Sequence, residues 1–137
     1  MNEAAPGFSG VLETVLYYEP SQRSAMDRFY SEILALPPVA QWDDGTAYRV
    51  GAGVLLLFDT EKLGQRKEPY SRHGATGAGH VCLTAASGGY EGWKRRLADR
   101  DVRIDHEASW PGGARSVYFR DPADNLLEIA DRDLWPR

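Results

Sequence analysis

Cysteine is almost absent from this chain. Its 137 residues hold one, Cys82, so no intrachain disulfide can form, and a reducing compartment is the simplest setting. Long apolar runs are missing too. The longest, VLLLF at 54–58, falls far short of the ~20 residues that span a bilayer. The opening MNEAAPGFSG has neither a basic nor an apolar stretch, so no secretory signal is expected and the cytoplasm is the expected location. Positive charge is not in surplus: 16 Lys and Arg face 20 Asp and Glu, interspersed, for a formal net charge of -4. Binding phosphate backbones or an anionic membrane needs a concentrated basic patch, so neither partner is expected. Three catalytic signatures are also missing. GATGAG at 74–79 is not followed by Lys-Ser/Thr and does not join a strand to a helix, so it is no phosphate loop. There is no nucleophile elbow and no Cys-x-x-Cys pair.

What is present is an ordinary globular composition, 42% hydrophobic and 26% charged, enough for one domain with a real core. VLETVLYYEP reads as a strand ended by Pro20. SQRSAMDRFYSEILAL reads as a helix, with Met26, Phe29, Tyr30, Ile33 and Leu34 forming one apolar stripe, and Pro37-Pro38 stops it. AYRV and GVLLLFDT read as strands, and the polar, Gly-rich residues 61–79 as a linker or mobile loop. The pattern then restarts: strand HVCLTA, helix YEGWKRRLADRD, strands RIDHEASW, RSVYFR and NLLEIA. Strand, helix, strands thus occurs twice, and sliding by 67 positions sets His80 on Glu13. The expected organisation is a single domain, 1–137, with a first half at 10–60, a linker at 61–78 and a second half at 79–131.

Glu128 is the anomaly. It sits in NLLEIA between Leu127 and Ile129, and an acid in an apolar strand must face water, find a partner or bind something. Glu13 and His80 also lie on strands, at equivalent points of the repeat. One imidazole and two carboxylates converging on a concave sheet would form a facial triad for a divalent cation. Taken singly, each has a plainer reading: a strand Glu on a solvated face, a strand His satisfied in the core.

The stretch GARSVYFRDPADNLLEIA resembles the closing hairpin of the vicinal oxygen chelate superfamily, the glyoxalase/bleomycin resistance/dioxygenase family. LETVLYYEPSQRSAMDRFYSEILAL resembles its opening strand and helix, and GAGHVCLTA the opening strand of its second module. The resemblance runs from about Val11 to Asp131. It implies an α+β fold of two βαβββ modules whose curved mixed sheets form a cleft, and a homodimer. It also implies a divalent metal (Zn, Fe, Mn, Ni or Mg) held by Glu13, His80 and Glu128. The small substrate would chelate that metal through oxygen, in a lyase, isomerase, transferase or dioxygenase reaction. Glu13 is alternatively a base acting on bound substrate. Glyoxalase I adds a ligand on the last strand of the first module. The matching residue here is Leu56 or Phe58, both apolar, which weighs against lactoylglutathione lyase activity. The alternative class is a non-catalytic drug-binding protein of the bleomycin-resistance type. There Trp42, Trp110, Tyr118 and Trp135 would stack on an aromatic or cationic ligand.

Around the triad, alternation puts Ser116, Tyr118 and Arg120 on one face, and the resemblance aims Ser116 and Tyr118 into the cleft. Tyr118 is either a substrate hydrogen-bonder or a core-rim aromatic. Trp110 either stacks on a planar substrate or anchors the PGG turn, and Phe58 is expected to wall the substrate site. His73 is either a lid residue or a solvated loop imidazole. Trp135 caps the cleft or a dimer interface. His106 is assigned no role, and Cys82 is expected to be a small buried residue.

Overall fold

A computed structural model describes residues 4–136. Among them two four-stranded sheets form. The first contains β1 (Glu13–Tyr18), β2 (Pro38–Trp42), β3 (Gly45–Val50) and β4 (Gly53–Asp59), in the spatial order β1-β4-β3-β2. The second contains β5 (His80–Thr84), β6 (Ile104–Ser109), β7 (Arg115–Arg120) and β8 (Leu126–Ala130), in the order β5-β8-β7-β6. In each, the opening strand runs parallel to the closing strand and the other pairs are antiparallel. A parallel pair needs a long crossover, supplied by a helix and two further strands. The connectivity is βαβββ twice, an α+β fold.

Strand alternation decides which face each residue takes. Leu16, Tyr18, Leu55 and Leu57 of the first sheet and Val117, Phe119, Leu127 and Ile129 of the second share one core. The helices α1 (Arg23–Arg28) and α3 (Tyr90–Asp99) fill it with Met26, Tyr90 and Leu97. The halves are tied directly. Arg96 donates from Nε to the Ile33 carbonyl and from Nη2 to that of Glu32, both at 2.8 Å. Gly79, just before β5, lies so close to β1 that a Cβ there would meet Leu16 at 2.7 Å. Any side chain there would have to push the buried Leu16 methyl aside.

Three elements differ from the sequence reading. The first helix is not uniform: a 3₁₀ turn (Pro20–Gln22) leads into α1, which widens into a π-helix, Phe29–Ile33. Leu34 N–H donates to Phe29 O, five residues back, and the wider turn keeps both Phe29 and Tyr30 buried. Second, Pro37-Pro38 ends the helix but does not end the structure. Pro38 opens β2, an outer strand bonded only to β3, where a missing N–H can be tolerated. Third, the polar span after β4 begins with a short helix, α2 (Thr60–Gly64). Asp59 caps it by accepting from Lys62 N–H at 3.0 Å, and its Leu63 is fully buried.

The turn between β7 and β8 is built around Asp121. Its carboxylate accepts from the backbone N–H of Ala123 (2.9 Å) and Asn125 (3.0 Å), from Asn125 Nδ2 (2.9 Å) and from the Tyr30 hydroxyl (2.7 Å). Asn125 Nδ2 also reaches Tyr17 O at 3.2 Å, so this hairpin is pinned to the first half of the chain.

Candidate metal centre and substrate cavity

The face of each sheet turned away from the core carries the candidate residues. On the second sheet His80 stands on β5 and Glu128 on the neighbouring β8, and His80 Nε2 lies 3.3 Å from Glu128 Oε1. His80 Nδ1 is 2.8 Å from the Leu126 carbonyl, which can only accept, so Nδ1 carries a proton. With Nδ1 committed to Leu126, Nε2 is the ring nitrogen turned toward the carboxylate. Two acceptors face each other unless a proton or a cation lies between them. Glu128 is 5% exposed, its other oxygen, Oε2, accepts no well-aligned hydrogen bond among the described residues, and the Tyr118 hydroxyl and Cys82 thiol face the carboxylate. A buried, half-satisfied carboxylate is costly for a fold to keep. A ring nitrogen fixed by a backbone carbonyl, beside a carboxylate with spare lone pairs, is the donor set a divalent ion uses. These residues fit the metal that the fold family implies.

Glu13 stands elsewhere. It begins β1 on the outer face of the first sheet and makes no hydrogen bond or ion pair among the described residues. With Val15, Leu56 and Phe58 it lines a cavity of about 740 Å³. Among the described residues no three His, Cys, Asp or Glu side chains converge as ligands of one ion. A single copy thus brings His80 and Glu128 together and leaves Glu13 apart.

The remaining candidates divide between the two faces. Tyr118 pairs with Glu128 across β7 and β8, and its ring lies 6.3 Å from His80 and 6.0 Å from His106. Desolvation, then the Glu128 carboxylate, raises its hydroxyl above the ordinary tyrosine range. Ser116 is fully buried, and its hydroxyl accepts from Trp110 Nε1 at 2.9 Å. Trp110 is therefore fastened beside this face, partly exposed. Cys82, expected to be buried, is instead exposed on the same face as His80, because β5 is an outer strand. Its thiol is nonetheless pushed up to about 12, first by desolvation and then by Glu128, so it is no thiolate at neutral pH. His73 belongs to the other face. Nδ1 lies 2.5 Å from the Tyr17 hydroxyl, and the ring meets Phe58 edge-on at 5.3 Å, closing one side of the cavity. Trp135 is 80% exposed.

No family model matches the sequence. Among solved structures, a lactoylglutathione lyase from Agrobacterium tumefaciens is similar over 94% of this chain and 98% of that one, with a TM-score of 0.86 and 33% identity. The chain belongs to the glyoxalase/bleomycin resistance/dioxygenase family. A glyoxalase/bleomycin resistance protein/dioxygenase from Nocardioides matches over 97% of this chain and 91% of its own, at TM-score 0.71 and 16% identity. A glyoxalase-related enzyme from Fulvimarina pelagi matches over 94% and 92%, at TM-score 0.69 and 21% identity. At those identities the two show the shared fold alone.

For this glyoxalase-family chain, strand register resolves which residue of the first module matches Glu128. Cys82 pairs with Glu128 in the second sheet, and Val15, its equivalent, pairs with Leu56 in the first. The matching residue is Leu56, buried on the cavity floor, and Phe58 lies two pairs further along. Sequence reasoning missed His106, which stands opposite Tyr118 in the β6–β7 pair. A register shift between Ile104 and His106 breaks the simple alternation that would have placed it. It also missed Arg66 and Tyr70, whose polar setting read as linker, and Asp44 in the turn between β2 and β3. The signal in that span was Leu63, an apolar residue four positions after Asp59, a residue type that caps helices.

Proposed function

We propose that this protein is a divalent-metal-dependent enzyme acting on a small substrate that offers one or two oxygens to the ion. The observation that carries the reading is the His80–Glu128 pair, with His80 Nδ1 committed to Leu126 and Glu128 Oε2 left without a well-aligned partner among the described residues. His80 Nε2 and Glu128 would hold the ion. Two ligands hold a divalent ion poorly, and Glu13 of a second copy is the third, making the working form a homodimer. When bound, the ion supplies Lewis-acid polarisation of a substrate oxygen. The chain's own groups do the rest. Leu126 fixes the His80 tautomer and ring orientation. Tyr118, kept protonated beside Glu128, offers a hydroxyl to a substrate oxygen, and Trp110, fastened by Ser116, shields that face from water. Glu13 is alternatively the base that takes a proton from the substrate. The lone unbridged Cys82 accords with a cytoplasmic location. The reaction of the Agrobacterium protein is not carried over, because Leu56 places an apolar side chain where a further carboxylate would stand.

A second reading, a ligand-sequestering protein of the bleomycin-resistance type, draws on the aromatic wall of the first cavity, where Trp42 stacks on Phe58 at 6.2 Å. The two readings part on metal. Elemental analysis of untagged wild type should find about one divalent ion per site. His80→Ala and Glu128→Ala should lose it, with affinity down by more than about 100-fold, while circular dichroism shows both folded. Wild type that takes up no Zn, Mn, Fe or Ni, or variants that hold the ion as well as wild type does, would sink the enzyme reading.

A further inference from the structure

The cavity on the first sheet carries its charges already matched. Arg66 meets Asp44 through two contacts, Nε to Oδ2 at 2.6 Å and Nη2 to Oδ1 at 3.3 Å, and both side chains are largely buried. The same guanidinium lies over the Phe58 ring at 4.7 Å and faces Tyr70 at 5.9 Å. Its charge and its faces are therefore both engaged. Lys62 reaches Asp43 at 3.2 Å. The one lining charge with no partner among the described residues is negative, Glu13. The floor is apolar, from Val15, Leu56 and Phe58, and the exposed rings of Trp42 and Tyr70 form the rim.

We infer that this cavity takes the tail of the substrate, and that the tail is flat, apolar and uncharged. The inference rests on the metal reading above only for the substrate's other end, the oxygens that meet the ion. An anionic tail would have to displace Asp44 from Arg66, exchanging one charge pair for another with no gain. A glutathione conjugate, with its two carboxylates, is the tail this cavity rejects. A flat neutral ring needs no exchange. It covers Leu56 and lies against Trp42, whose indole is 46% exposed.

The test is calorimetric titration of the full chain with three probes, 2-naphthol, 2-naphthoate and S-benzylglutathione, with and without a chelator. Naphthol and naphthoate share a ring system and differ in charge. Naphthol should bind at least about tenfold tighter than either anion. Trp42→Ala should weaken naphthol by about tenfold, and Asp44→Asn, by freeing Arg66, should tighten naphthoate by a similar factor. Wild type that prefers naphthoate or S-benzylglutathione, or that binds none of the three, overturns the inference. The chelator arm separates it from the metal reading. Naphthol preference that survives chelation in a protein found to hold no metal supports the cavity inference and removes the metal one. Metal binding without naphthol preference does the reverse.

Discussion

Among the described residues Glu128 is 5% exposed with no well-aligned partner for one oxygen, and its companion His80 is half exposed, so their contact is too wet to repay a buried carboxylate. The equivalent position in the first sheet, Leu56, shows what the fold accepts there when no ion is to be held. Glu128→Leu should therefore stabilise the metal-free protein by about 1–2 kcal/mol while abolishing ion uptake. Chemical denaturation in chelator checks the first half and elemental analysis the second. A loss of more than about 1 kcal/mol would mean that the carboxylate is there for the fold. The same residue shows what was legible. An acid flanked by Leu127 and Ile129 announces itself in the sequence, because apolar strands do not carry acids idly. Its equivalence to Leu56 was not legible, since an uncertain gap left Phe58 equally eligible until hydrogen-bond register decided.

At the scale of elements, β1, β4, β7 and β8 were readable from one sequence, because apolar, β-branched and aromatic residues are concentrated there between turn signals. β2 was not. It is an outer strand, mostly exposed, that opens on a proline, and its pairing comes from β3 rather than from any pattern of its own. The π-helical turn was equally hidden, since an apolar stripe does not distinguish a four-residue from a five-residue step. That turn presents Tyr30, fully buried, whose hydroxyl donates to Asp121 in the β7–β8 hairpin 91 residues away. Tyr30→Phe should cost about 1–3 kcal/mol by leaving Asp121 short of a donor. It should also alter the alkaline limb. Desolvation first, then Asp121, raises the Tyr30 hydroxyl well above 10.0, so folding favours the protonated form. The stability it contributes is complete below pH 10 and is lost as pH rises toward the folded-state value. Denaturation midpoints measured from pH 8 upward should fall for wild type above pH 10 and fall less steeply for Tyr30→Phe. Parallel curves would show that this hydroxyl is not the group responsible.

At the scale of the whole molecule, the two open sheet faces of one chain hold different parts of the proposed centre, Glu13 on the first and the His80–Glu128 pair on the second. β1 and β5 are the outer strands of their sheets, and Val11 and Leu12, just ahead of β1, are 82% and 72% exposed. Bare apolar side chains are a cost a second copy removes. If two copies exchange faces, each ion takes Glu13 from one chain and His80 with Glu128 from the other. A complementation experiment reads this directly. Glu13→Ala and His80→Ala, purified separately, should each bind little metal. Unfolded, mixed in equal amounts and refolded, half of their dimers are mixed, and each mixed dimer holds one intact site and one doubly damaged one. Ion content should then recover to about a quarter of wild type. If the site lies within one chain, the mixture recovers nothing, because no chain carries all three ligands. A Glu13→Ala protein that binds metal as wild type does would instead release Glu13 from ligation and leave it as a base beside the substrate.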